Sequence, residues 1–425
     1  MSMIYSTLTA IINKISDEFH KSFLFTTVFS IIEFIENEWV NSFFKKLYPG
    51  KDFLGFLNKH DILKNHVFNP LIVIFLFAMF LLLSLNKPSA NLTVTLLIGF
   101  SAFFIGSAIL PRFFLKDPVN ILKFERDDIY SIGFCLLLIS IVFFFICIAS
   151  VGGIPLLRPS IRYLLKPVFT MPVFLIIPAT CIIASVCLKD FQDGKITRSQ
   201  TRFRFLVLLV IDCGFLLLLG YRTPLLAAFL VLIIIGFYGN IVSLWEVVAG
   251  AAIGVGAIIG IGYFRSLGEL TITSSTSPLY TLQSRADFTL HVLNLLDFIG
   301  GNFGLTHGRL LASAIPGSDL GPRMMVGKLI AWRTEVTVTP TLIGQMVADF
   351  GKVGVAVEMC LLGFILGIGF KIMRITQNYF YIGIYSLILT YAILGIETGI
   401  LDIQVLLYFA IAIFIYLINL TKSRN

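Results

Sequence analysis

An all-α, polytopic membrane protein with about ten transmembrane helices and one large external loop between spans seven and eight is the fold class that three features of this 425-residue chain predict. The composition is 57% hydrophobic and only 13% charged, with a mean hydropathy of +0.92, far from that of a soluble domain. Apolar residues gather in long runs, and a run of about 20 crosses a bilayer as a helix. Lysine and arginine favour alternate short loops, the pattern that orients such spans.

In chain order, residues 1–66 carry apolar positions at helical spacing, Ile4, Leu8, Ile11, Ile12 and Ile15, then Ile31, Ile35, Trp39 and Phe43. Glu33, Glu36, Glu38, Lys45 and Lys46 interrupt them, so interfacial amphipathic helices on the cytoplasmic face are expected. Residues 67–264 hold spans one to seven, centred near Phe77, Phe100, Leu138, Pro178, Leu209, Leu232 and Val255. Spans five and six are short and share the turn at Arg222, which reads as a tight helical hairpin. Residues 265–350 form the large loop, with short helices. Residues 351–425 hold spans eight to ten, near Leu361, Ile388 and Ile411, and a cytoplasmic tail.

Arg112, Lys116, Lys123 and Arg126 follow span two; Lys189, Lys195, Arg198, Arg202 and Arg204 follow span four; Lys371 and Arg374 follow span eight. With ten spans these lie on one side, which places both termini in the cytoplasm and Arg222 outside a cell membrane. Basic loops facing anionic lipid account for the net charge of +8 without nucleic acid. Six cysteines, all inside apolar runs, read as packing residues and supply no disulfide framework. The first apolar run begins near Pro70, too late for a signal peptide. No internal repeat suggests paired transporter halves.

The loop opens on a polar run and then "LYTLQSRADFTLHVLNLLDFIGG", where Leu282, Phe288, Val292, Leu295 and Leu296 recur at helical spacing and predict a helix lying on the spans. Glycine and proline punctuate the rest of the loop, consistent with short helices and turns. External cations are mostly arginine: Arg158, Arg162, Arg222, Arg265, Arg285, Arg309, Arg323 and Arg333. A planar guanidinium grips phosphate oxygens bidentately, so this bias points to an anionic ligand. The alternative is that each arginine pairs with Asp287, Asp297, Asp319, Glu335 or Asp349. Candidate acids and bases are His291, with Asp287 one helical turn away to orient it, His307 beside Arg309, and the carboxylates Glu335 and Asp349. No metal site is expected: there is no HExxH, no His and Cys cluster and no external DxD.

The segments "GGIPLLRPSIR" from Gly152, "GYRTPLL" from Gly220 and "TPTLIGQMVADFGKVGV" from Thr339, with the long loop after span seven, resemble the oligosaccharide repeat-unit polymerases of the O-antigen polymerase group and the related O-antigen ligases. The resemblance implies a metal-independent membrane glycosyltransferase, without cofactor, that acts on polyprenyl-(di)phosphate-linked glycans outside the cytoplasmic membrane. Donor and acceptor would both be lipid-linked, with membrane lipid around them and a separate chain-length regulator as partner. Arg158, Arg222, Arg265, Arg285, Arg309 and Arg333 would bind the lipid phosphates. His291, His307, Asp287 or Glu335 would serve the acceptor hydroxyl. No histidine stands in the context of the ligases' catalytic histidine, so the proton acceptor stays open.

Two other readings compete. A transporter or flippase of an anionic substrate would use the charges Asp212, Glu397 and Asp402 in or beside spans. A cell-envelope scaffold would use the amino-terminal helices but leaves the arginines without a task.

Overall fold

The computed structural model describes residues 67–114, 126–157, 161, 164–269, 278–315, 318, 320–331 and 337–422. The expected amino-terminal amphipathic helices lie outside these residues, as do Arg158, Arg162, Asp319, Arg333 and Glu335. Among the described residues the chain is helical, without strands.

The helices in chain order are α1 (Ile72–Leu82), α2 (Ala90–Phe114), α3 (Arg126–Val151), α4 (Pro167–Val173), α5 (Ile176–Gln192), α6 (Arg198–Leu218) and α7 (Arg222–Tyr238). Next come α8 (Leu244–Glu269), α9 (Pro278–Gly300), α10 (Arg309–Ser313), α11 (Pro322–Ala331), α12 (Leu342–Thr376), α13 (Tyr379–Thr398) and α14 (Ile403–Lys422). Five described helical stretches are long and apolar enough to cross a membrane: α2, α3, α4 with α5, α12 and α13. Shorter apolar helices lie at α1, α7, in α8 and in α14. Helix α12 begins at Leu342, inside the stretch that the sequence presents as loop.

Helix α5 is the hub. It packs against α3, α6, α7 and α13, and its residues from Ile176 to Cys181 are all buried. Such all-round burial follows from a helix apolar on every face. A second body pairs α2 with α12. Small residues set their approach: a Cβ on Gly106 would lie 2.1 Å from the Cys360 carbonyl oxygen, and one on Gly363 2.5 Å from that of Phe103. In lipid, where water drives no helix association, such close backbone contact is a main source of adhesion. A π-helical turn at Ile105–Ile109 in α2 falls within this contact.

Helix α12 is broken at Gly351, whose φ of 64° and ψ of −153° no side-chain-bearing residue adopts readily. The carbonyls freed there are not left bare. Ala348 O accepts from Leu305 N and Thr306 N, and Asp349 O from His307 N, while Lys352 N and Val353 N donate to Gly301 and Asn302 carbonyls. The segment after α9 therefore wraps the break and satisfies it.

The loop helix predicted from "LYTLQSRADFTLHVLNLLDFIGG" exists as α9, with Val292 and Leu296 buried. Phe288 is the correction: it is 46% exposed, pointing away from the bundle. Three polar ties seat α9 on the α1–α2 turn and α2. Asp287 Oδ1 accepts from the Ser84 hydroxyl at 2.5 Å and from the Leu85 and Asn86 amides; Asn294 Oδ1 accepts from Ser89 N; Asp297 Oδ1 accepts from Thr95 at 2.6 Å.

Candidate functional site

The turn joining α6 to α7 explains how an arginine sits between two apolar helices. Gly220, with φ of 78°, donates to Leu217 O, and Tyr221 N donates to Leu216 O, the paired bonds of a Schellman cap. Helix α7 then starts at Arg222, and Pro224 falls in its first turn, where no amide donor is missed. Tyr221 seats edge-on against Phe174, with ring centroids 5.0 Å apart. Arg222 thus stands at the mouth of the hairpin, at a helix N-terminus, where the backbone dipole also favours an anion.

Among the described residues an anion within its reach is Glu397, in the last turn of α13. Its Oε1 lies 2.6 Å from Arg285 Nε on α9 and 3.9 Å from an Arg222 terminal nitrogen. One carboxylate oxygen therefore receives two guanidiniums from distant parts of the chain. Beside it, across the 399–402 turn, Arg323 on α11 meets Asp402 Oδ2 at 2.5 Å. Arg323 Nε is buried without a hydrogen-bond partner among the described residues. The cluster holds three guanidiniums against two carboxylates, all between about a quarter and two-fifths exposed. An excess of partly desolvated guanidinium is suited to phosphate oxygens.

Other sequence-predicted residues are placed elsewhere. Arg309 and His307 are exposed on the segment that wraps the α12 break. Arg265 falls on α8. His291 is exposed on α9, six residues from Arg285 and so about 120° around the axis from it. Asp287 shares His291's face, but its Oδ1 gathers the 84–86 turn. That Ser84 hydroxyl, helped by the Asn86 and Leu85 amides, holds the Asp287 carboxyl below its ordinary range.

Asp349, a candidate base by sequence, instead caps α10. Thr306, Gly308 N and Leu310 N donate to its Oδ1, and Leu311 N to its Oδ2 at 2.9 Å. None of Asp287, Asp297 or Asp349 meets an arginine among the described residues. At this end of the bundle the carboxylates that do are Glu397 and Asp402, which the sequence presents as intramembrane charges of a transporter. Ten spans, the number the sequence predicts, would put residues 397–402 on the side of Arg222, and that signal could have found them. Among the described residues no three His, Cys, Asp or Glu side chains form a group that could hold a metal ion.

Comparison with known proteins places this geometry in context. A family model described as "Putative O-antigen polymerase" matches residues 66–409. An uncharacterized protein of Methanocaldococcus jannaschii is 27% identical over 377 residues, which is 87% of this chain and 98% of that protein. No solved structure matches.

Proposed function

The chain belongs to the O-antigen polymerase family, and from that premise we propose that it polymerises polyprenyl-(di)phosphate-linked oligosaccharide repeat units on the external face of the cytoplasmic membrane. The observation that carries this reading is the meeting of Arg222 and Arg285 at one oxygen of Glu397. A point that two guanidiniums address is a seat for an oxyanion, and in the resting protein Glu397 fills it.

In the proposed reaction a phosphate oxygen of the donor takes that seat. The glycosidic bond between sugar and phosphate breaks as an acceptor hydroxyl forms a new bond to the same carbon. Negative charge grows on the departing phosphate, and Arg222 and Arg285 stabilise it where it develops. The hydroxyl proton needs an acceptor within hydrogen-bond reach. Glu397, displaced from the guanidiniums but still in the cluster, is the carboxylate so placed, and the geometry supports it over His291. Arg323 with Asp402 supplies a second cationic position for the acceptor's lipid phosphate. Metal independence is part of the proposal: positioned guanidiniums take the role a metal would have on the leaving group.

The test is incubation of the purified protein in nanodiscs with polyprenyl-linked oligosaccharide, followed by glycan length on a gel or by mass spectrometry. A ladder spaced by one repeat, lost in Arg222→Ala and Arg285→Ala, is expected. Transfer to a different acceptor without a ladder would replace polymerase by ligase; no transfer at all from authentic substrate would overturn the reading. The transporter alternative keeps one specific residue, Asp212, fully buried on α6 with Thr180 bonded to one oxygen.

A further inference from the structure

The end of α9 and the segment after it carry an apolar surface that the reaction does not use. Phe298 is 83% exposed and Phe303 74%, with Leu305, Leu311 and Ile315 also turned outward. Large apolar side chains exposed this densely along one short segment mark an interaction site.

The place where the patch is fastened identifies its cover. The Asn302 carbonyl accepts from Val353 N, so Phe303 sits directly beside Val353 of α12. Val353 begins an exposed row at four-residue spacing, Val353, Val357, Leu361 and Ile365, along a helix long and apolar enough to cross a membrane. That row is the helix's lipid-facing side. Phe350, also exposed, extends it past the break, and its ring faces the segment: a Cβ on Gly308 would lie 3.2 Å from it. The patch is therefore continuous with a surface that lipid covers.

Depth is set by α2, which runs beside α12. Thr95, in the second turn of α2, is bonded to Asp297, the neighbour of Phe298, and the exposed Val94 and Leu97 flank that level. The segment thus hangs about a turn below the start of a spanning helix. Polar and basic side chains complete the pattern: His307 and Arg309 are exposed on the segment, and Lys352, half-exposed on α12, adjoins it through its amide bond to the Gly301 carbonyl. Apolar groups reaching into hydrocarbon with cations at phosphate level are the signature of an element seated in the interface.

We propose that residues 298–315 form a wedge embedded in the lipid leaflet at the loop end of the bundle, with Phe298, Phe303 and Leu305 among acyl chains and His307 and Arg309 at the lipid phosphates. The wedge stands on packing alone and does not depend on the reaction assigned above.

The test places one tryptophan at Phe303 in the full-length protein, in nanodiscs of phosphatidylcholine and phosphatidylglycerol, and reads its fluorescence against the parent. Phe303→Trp is expected to emit to the blue of water-exposed tryptophan, to lose signal most to a spin label near the headgroup end of the acyl chain, and to resist iodide. Leu361→Trp, mid-span, should instead respond most to a label near the chain terminus. Phe298→Trp repeats the measurement from α9 should the first variant fold poorly. Quenching by iodide with no response to either lipid label, at both positions, overturns the wedge.

Discussion

The two ends of the bundle use arginine in opposite ways. At the end opposite the loop, Asp190 is 3% exposed and holds Arg126 through two bonds of 2.6 Å, with Arg204 at 3.9 Å. Arg198 and Arg202 both donate to the Ile241 carbonyl, and Arg202 also meets Glu246 at 2.9 Å. Those guanidiniums tie helix ends together and are committed to it. At the loop end, Arg222 and Arg285 share one carboxylate oxygen on a side chain 32% exposed. Around Asp190 the guanidiniums serve architecture, because that anion is buried and geometrically matched; at Glu397 they remain exchangeable, because it is shared and open.

This contrast yields a graded set of expected outcomes. Arg222→Ala should lower polymerisation by about 10²–10³-fold, the usual loss when one donor to a developing oxyanion is removed, while expression and thermal stability stay near normal. A stability loss as large as the activity loss would break the comparison. Asp190→Ala should show the reverse character. It leaves Arg126 and Arg204 beside an apolar void, and removing one partner of a buried pair costs about 3–5 kcal/mol, read as a lowered Tm or lost folded yield in detergent. Glu397→Gln sharpens the distinction at the loop end: turnover should fall by about 10²-fold with folded yield near normal. Retained turnover would move the proton acceptor elsewhere.

Smaller still is the effect of Arg222→Lys, about tenfold in turnover, because a point charge replaces the planar fork but keeps the sign. The mildest concerns Asp287, which anchors the loop helix and not the anion seat. Its carboxyl titrates below the ordinary range in the folded chain, so its tie to Ser84 is fully present above the unfolded value of about 3.9 and is lost as pH falls through the lower folded one. Hydrogen-exchange protection at residues 84–86, taken relative to the intrinsic rate at each pH, should therefore stay constant from neutral pH to mildly acid and fall only below that; Asp287→Asn should remove the acid step.

Much of this architecture is legible in residue order. The loop helix, the α6–α7 hairpin and the position of Arg222 beside a helix start all follow from spacing and from Gly220. Arg285 joins the cluster, yet its helix neighbours Asp287 and His291 do not. Four-residue spacing does put those two on one face, but the aspartate's oxygen turns to the α1–α2 turn. Asp349 departs from expectation for a related reason. A buried carboxylate next to a glycine break is what a five-residue helix needs at its start, and nothing local in "VADFGKVG" announces which helix that is.

Hydropathy, helical periodicity and turn chemistry are local quantities, so the sequence alone determined the membrane as solvent, the helical class and the family resemblance that the match over residues 66–409 supports. Partner choice is not local. Arg285 and Glu397 lie 112 positions apart and Arg323 and Asp402 79, so only the packing of α9 and α11 against the α13–α14 turn decided which carboxylate each guanidinium would meet. The same holds for the segment that wraps Gly351: its backbone donors find their acceptors through the fold, and its Phe303 is left to face outward.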